Sequence, residues 1–126
     1  MEKKIINMPG VGSFTPISAA VRAGDLLFCS GQCGYDSVNK CFYGDDIVTQ
    51  TKGALDNLKD VLQEAGSTMD DIVKVNIYLA DVEDFPVVNE IYVGYFPNEK
   101  PARTCLQIAK IPFGALIEIE AVAIAH

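Results

Sequence analysis

Between Ile47 and Ala65 the stripe Val48, Thr51, Leu55, Leu58, Leu62 and Ala65 recurs at helical spacing, with Ala54 and Val61 beside it. That period predicts an amphipathic helix. Lys52, Asn57, Lys59, Asp60 and Glu64 form its polar face. Asp45 or Asp46 is placed to cap its start, and Gly66 to end it. A second helix starts near Phe85-Pro86, where proline is tolerated in the first turn. Phe85, Val88, Ile91, Tyr92, Tyr95 and Phe96 keep its spacing.

Elsewhere the pattern has period two. Lys3–Asn7 reads as a short strand, and residues 19–23 and 26–30 as a hairpin around Gly24-Asp25. A turn-rich loop is expected from Gly31 to about Asp45. In the strand Ile72–Leu79, Val73, Val75, Ile77 and Leu79 share one face, with Lys74, Asn76 and Tyr78 on the other. Residues 103–109 and 116–125 give the last two strands. The order β-β-β-α-β-α-β-β predicts an α+β fold, with two helices covering one face of a five- or six-stranded sheet. The last strand is apolar on both faces: Ile117, Ile119, Ala121, Ala123 and Ala125 on one, Leu116, Val122 and Ile124 with Glu118 and Glu120 on the other. Something must cover the second face, and a partner subunit is the economical answer.

The 126 residues suit a single domain, 1–126. No apolar run approaches a membrane span or a secretory signal, so a cytoplasmic protein is expected. The net charge of −7 disfavours nucleic acid as a partner. The four cysteines form no C-x-x-C pair, and free thiols are expected. The only histidine is His126. An internal catalytic histidine and a two-histidine metal site are therefore excluded within one chain. Chemistry must come from carboxylates, arginine, lysine, tyrosine, hydroxyls or backbone.

Arg103 is one of two arginines and opens an apolar strand, where a cation needs a partner. Its guanidinium suits bidentate capture of a carboxylate. Glu118 stands among Leu116, Ile117 and Ile119. Either these two are catalytic groups, or Arg103 forms a cross-strand salt bridge with Glu118 or Glu120. Ser30-Gly31 follows an apolar strand, where glycine lets a ligand approach the backbone or simply ends the strand. Asn89, a poor helix former inside the second helix, either serves a site or faces solvent.

Cys29-Ser30-Gly31-Gln32, Pro101-Ala102-Arg103-Thr104-Cys105, Ile111-Pro112 and Ile117-Glu118-Ile119-Glu120-Ala121 together resemble the Rid/YjgF family, also called L-PSP endoribonuclease-like. The resemblance extends over nearly the whole chain. It implies a chorismate-mutase-like fold and a homotrimer whose sheets form a central barrel, with sites between subunits. It implies hydrolysis of 2-iminobutanoate and 2-iminopropanoate to 2-keto acids and ammonia, with no cofactor and no metal. In that reading Arg103 binds the substrate carboxylate, backbone around Cys105 contacts the imine, and Glu118 positions water. Ser30 and Gly31 line the pocket, and Asn89 contributes from its helix. One position departs: the family Tyr that lines the pocket is Ile17 here. The alternatives are RNA cleavage, as the older family name says, and a non-enzymatic module that binds a small carboxylate.

Overall fold

The computed structural model describes residues 1–11 and 15–126. Six strands form one mixed sheet: β1 (Lys3–Ile6), β2 (Ala20–Ala23), β3 (Leu26–Gln32), β6 (Ile72–Leu79), β7 (Ala102–Gln107) and β8 (Ile117–Ile124). Their order across the sheet is β1-β2-β3-β8-β6-β7, so the last strand in sequence is central. Only β6 and β7 pair in parallel. The crossover between them is α2 (Phe85–Tyr95), as a parallel pair requires. The expected loop after β3 holds a small hairpin, β4 (Tyr35–Asp36) with β5 (Cys41–Phe42).

The first helix, α1, runs Ile47–Glu64. Asp46 caps it by accepting the Thr49 N–H at 2.9 Å. It ends in a Schellman motif: Ser67 N–H reaches Leu62 C=O at 2.8 Å and Gly66 N–H reaches Gln63 C=O at 3.1 Å. Gly66 takes φ +76°, which glycine adopts without a Cβ clash.

Both helices pack on one sheet face. Leu55, Leu58 and Leu62 of α1, Val88 and Tyr92 of α2, and the following Phe96 close over Leu27, Val75, Ile77, Ile117 and Ile119. Each of the large apolar side chains among them contributes about 1.5–3 kcal/mol on burial.

Three details differ from the sequence pattern. Val48 is exposed, and the stripe begins instead with buried Gln50 and Thr51. The Gln50 amide is satisfied at both ends: Nε2 donates to Gly44 C=O at 3.1 Å, and Oε1 accepts Leu116 N–H at 2.9 Å. Val73 is exposed because a bulge interrupts the ladder: Ile72 and Lys74 oppose Ala123 and Val122. Two steps on β6 then match one on β8, so Val73 is the extra residue and Ile72 takes the buried place. Asn57, expected in solvent, is half-buried and hydrogen-bonded, as described below.

The other sheet face carries no helix. Phe28 (46% exposed), Leu106 (51%) and Ile124 (42%) lie on it. Beside them is a polar group: Lys74 Nζ donates to Thr104 Oγ1 at 2.8 Å, and the Tyr78 hydroxyl and Asn76 amide both donate to Glu120.

Candidate active site

The end of β3 gathers one group of the expected residues. Cys29 and Gln32 oppose Ala121 and Ile119 of β8, three steps against two, so Ser30-Gly31 contains a bulge. Such a bulge re-aims side chains at the end of a ladder. Ser30 Oγ donates to Ser18 C=O at 2.7 Å and ties down the segment before β2. Gly31 lies flat against Glu118: a Cβ at residue 31 would stand 2.8 Å from Glu118 Cδ. Glycine is needed here for close approach, not for an unusual dihedral.

Cys33 comes next. Its Sγ–H points at Glu118 Oε1, 3.7 Å away. Burial first, then the neighbouring Glu118 charge and hydrogen bond, push the thiol up to about 12. At neutral pH Cys33 is therefore a protonated donor and not a thiolate nucleophile. The loop is held from α1, where Asn57 Nδ2 donates to Cys33 C=O at 3.0 Å and Tyr35 C=O at 2.8 Å. Tyr43 Oη in turn donates to Asn57 Oδ1 at 2.9 Å.

Above these groups opens a cavity of about 240 Å³. It is lined by the polar or small Ser30, Gly31, Gln32, Cys33 and Glu118 and by the apolar or aromatic Ile17, Tyr35, Phe42, Pro112 and Phe113. Ile17 is one of the lining residues. Among the described residues no cluster of three His, Cys, Asp or Glu could hold a metal.

A second group of the expected residues lies on the far edge of the sheet. Arg103 and Cys105 on β7 pair with Val75 and Ile77, both fully buried under the helices, so they share the helix-bearing face. The Arg103 guanidinium carbon lies 4.8 Å from the Tyr92 ring centre and 5.5 Å from that of Phe85. Asn89 is four residues after Phe85 and three before Tyr92, and so occupies the same side of α2. The Cys105 thiol is raised by burial, with Arg103 opposing.

Glu118 pairs with Tyr78 on the opposite, helix-free face. Strand β6 stands between β8 and β7, a separation of roughly 10 Å in the sheet plane. This overturns the salt-bridge reading. Arg103 meets neither Glu118 nor Glu120, and among the described residues it makes no ion pair. Successive residues on a strand alternate faces, and Arg103 falls on the other side from both acids. Of the expected site residues, Ser30, Gly31, Ile17 and Glu118 are brought together; Arg103, Cys105 and Asn89 form a separate group.

Residues 10–125 match the family model described as Endoribonuclease L-PSP. The chain belongs to this family. The match spans nearly the whole chain and agrees with the Rid/YjgF resemblance. A RutC family protein of Pyrococcus horikoshii is 42% identical over 108 residues, covering 86% of each chain. Human 2-iminobutanoate/2-iminopropanoate deaminase is 41% identical over 113 residues, covering 90% of this chain and 82% of its own. The structure of Escherichia coli TdcF with bound serine superposes with a TM-score of 0.89 at 31% identity, covering 98% of this chain and 99% of its own. Among the described residues, no helix is long and apolar enough to cross a membrane.

Proposed function

We propose that the protein is a reactive-intermediate deaminase: it hydrolyses 2-imino acids to 2-keto acids and ammonia, as a homotrimer with each site between two subunits. One observation carries this reading. The chain presents a carboxylate in a polar-floored cavity and, on the opposite face and edge of the sheet, a guanidinium without an acid. Each is half of what a 2-imino acid needs. The helix-free sheet face, with exposed Phe28, Leu106 and Ile124, supplies a surface for self-association.

In the assembled site Arg103 of one subunit holds the substrate carboxylate. Glu118 of the neighbour orients a water against C2. The water oxygen bonds to C2 as its proton passes to Glu118. Glu118 returns that proton to the imine nitrogen, giving an amino alcohol; it then carries the hydroxyl proton to the amine, the C2–N bond breaks, and ammonia leaves as the C2 oxygen becomes the ketone. Orientation and one proton relay suffice, since imines are inherently electrophilic. Backbone near Cys105 steadies the amino alcohol. The family description also names RNA cleavage. His126, the only histidine, is bound to Asp71 at 3.0 Å, however, and the net charge is −7.

The test is hydrolysis of 2-iminopropanoate and 2-iminobutanoate, made in situ by an amino-acid oxidase and trapped with semicarbazide. Arg103→Ala should lower kcat/KM by roughly 10- to 150-fold, the value of a charge-assisted contact. Light scattering should give three times the chain mass. An inactive wild type, or a monomer that is fully active, would reject the reading.

A further inference from the structure

The cavity lining mixes polar with apolar groups, and one of the apolar residues is held at a cost. Phe113 lies in the short 3₁₀ turn Pro112–Gly114, between Ile111 and Ala115. It has φ +62°, a left-handed conformation that non-glycine residues rarely adopt. Its side chain is 82% exposed, so burial in this chain does not repay that conformation. The ring is nonetheless placed. It stacks on Tyr35 with centroids 5.6 Å apart and planes 11° from parallel. Tyr35 in turn meets Phe42 edge-on at 5.2 Å. Asn57 fixes the Tyr35 backbone through the same amide that fixes Cys33. Three rings and the Glu118 floor thus form one connected unit. Strained, exposed groups held this way mark ligand sites.

We infer that this cavity selects 2-imino acids with a bulky apolar side chain over the smallest ones, and that Phe113 sets the choice. The inference rests on the deaminase reading of the same site. With the reacting carbon over Glu118, the substrate side chain extends along Ile17, Pro112 and Phe113. A methyl group leaves the Phe113 ring uncovered, whereas an isobutyl, thioether or benzyl group reaches it. Among the described residues no lysine or arginine lines the cavity, so an acidic side chain finds no partner there. Tyr35, Phe42 and Phe113 supply the apolar, aromatic surface that such pockets use.

The experiment compares imines derived from alanine, leucine and phenylalanine in the wild type, Phe113→Asn and Phe113→Leu. Asparagine tolerates positive φ but removes the ring, and leucine keeps an apolar side chain. We expect wild-type kcat/KM to favour the leucine- or phenylalanine-derived imine by about tenfold, the lower end of what one extra apolar contact discriminates. Phe113→Asn should collapse that ratio through KM, and Phe113→Leu should keep part of it. Calorimetry with pyruvate and 4-methyl-2-oxopentanoate reads the same preference without turnover. Tighter binding of the longer keto acid, lost in Phe113→Asn, upholds the inference even if no imine is hydrolysed; in that case only the deaminase reading fails. Equal or reversed preference in the wild type, or a ratio unmoved in Phe113→Asn, overturns it.

Discussion

The Glu118 cavity is built by segments that hold one another; the Arg103 edge is a single side chain held by two rings. Around Glu118, a strand bulge, a thiol, a helix amide and a serine hydroxyl fix each position within one chain. Around Arg103, Tyr92 and Phe85 provide aromatic faces but no anion. Cation–π contact holds a guanidinium in place while leaving its N–H fork free. The first region is organised before anything binds, and the second is positioned but chemically incomplete. A chain that carries both, on opposite sheet faces, keeps its cation and its carboxylate from neutralising each other.

The sharpest way to break this comparison is to mix two inactivated proteins. Glu118→Gln should lose roughly 10²- to 10⁴-fold as an acid–base group, and Arg103→Ala should fall as stated above. After the two variants are unfolded together and refolded, sites that draw the intact half from each should reappear. Random assembly gives roughly a quarter of wild-type activity. No recovery would mean that the two regions do not share a site. Gly31→Ala comes next. The added methyl forces the Glu118 carboxylate away from its position, and a displacement near 1 Å costs about 10²-fold in kcat. The displaced atoms are the end of a flexible side chain at an open cavity, so thermal stability should change by less than about 1 kcal/mol, and the activity loss should far exceed the change in the fraction folded.

Cys33→Val removes the thiol that points at Glu118. One modest hydrogen bond corresponds to about a 2- to 10-fold loss in kcat, and Cys33→Ser should recover most of it by keeping a donor. If both variants match wild type, the thiol does not position Glu118. The smallest effect concerns a carboxylate outside both regions. Asp71 accepts from Thr68 and binds His126, and the His126 hydrogen bond chiefly holds it below the usual carboxylate value. Its contribution is therefore present above about pH 4 and lost as pH falls through its lowered value. Asp71→Asn should cost about 1 kcal/mol at pH 7. The two stability curves should converge once pH falls below that lowered value, with imine hydrolysis unchanged.

Helices and strands were legible in the sequence because one stripe or one alternating face had to be buried. Leu55, Leu58 and Leu62 could belong only to a helix face, and Ile117 and Ile119 only to a covered strand. The exceptions are local. Gln50 replaces Val48 in the core because two backbone groups satisfy its amide. Val73 turns outward because one extra residue in a ladder flips the alternation, and no periodicity reveals a bulge. Glu118 and Ser30-Gly31 were grouped only by the family resemblance; no pattern along the chain reveals that two antiparallel strands carry them to the same end of the sheet. Cys33 and Asn57 were missed: their roles depend on a loop folding back onto α1, and an asparagine on a polar helix face gives no signal of that. The Arg103 salt bridge failed because pairing two charges by strand proximity ignores which face each occupies.

The sheet ends in two edges of unlike character. At one, β1 carries Lys3 and Lys4, charges that deter another strand from pairing there. At the other, β7 reads Ala102-Arg103-Thr104-Cys105-Leu106-Gln107, with one charge turned toward the helices and Leu106 exposed. Among the described residues no strand pairs with its outer edge. The opening that leaves β7 available to a ligand therefore also makes it the place where unfinished chains can stick to each other. Refolding yield should fall as protein concentration rises.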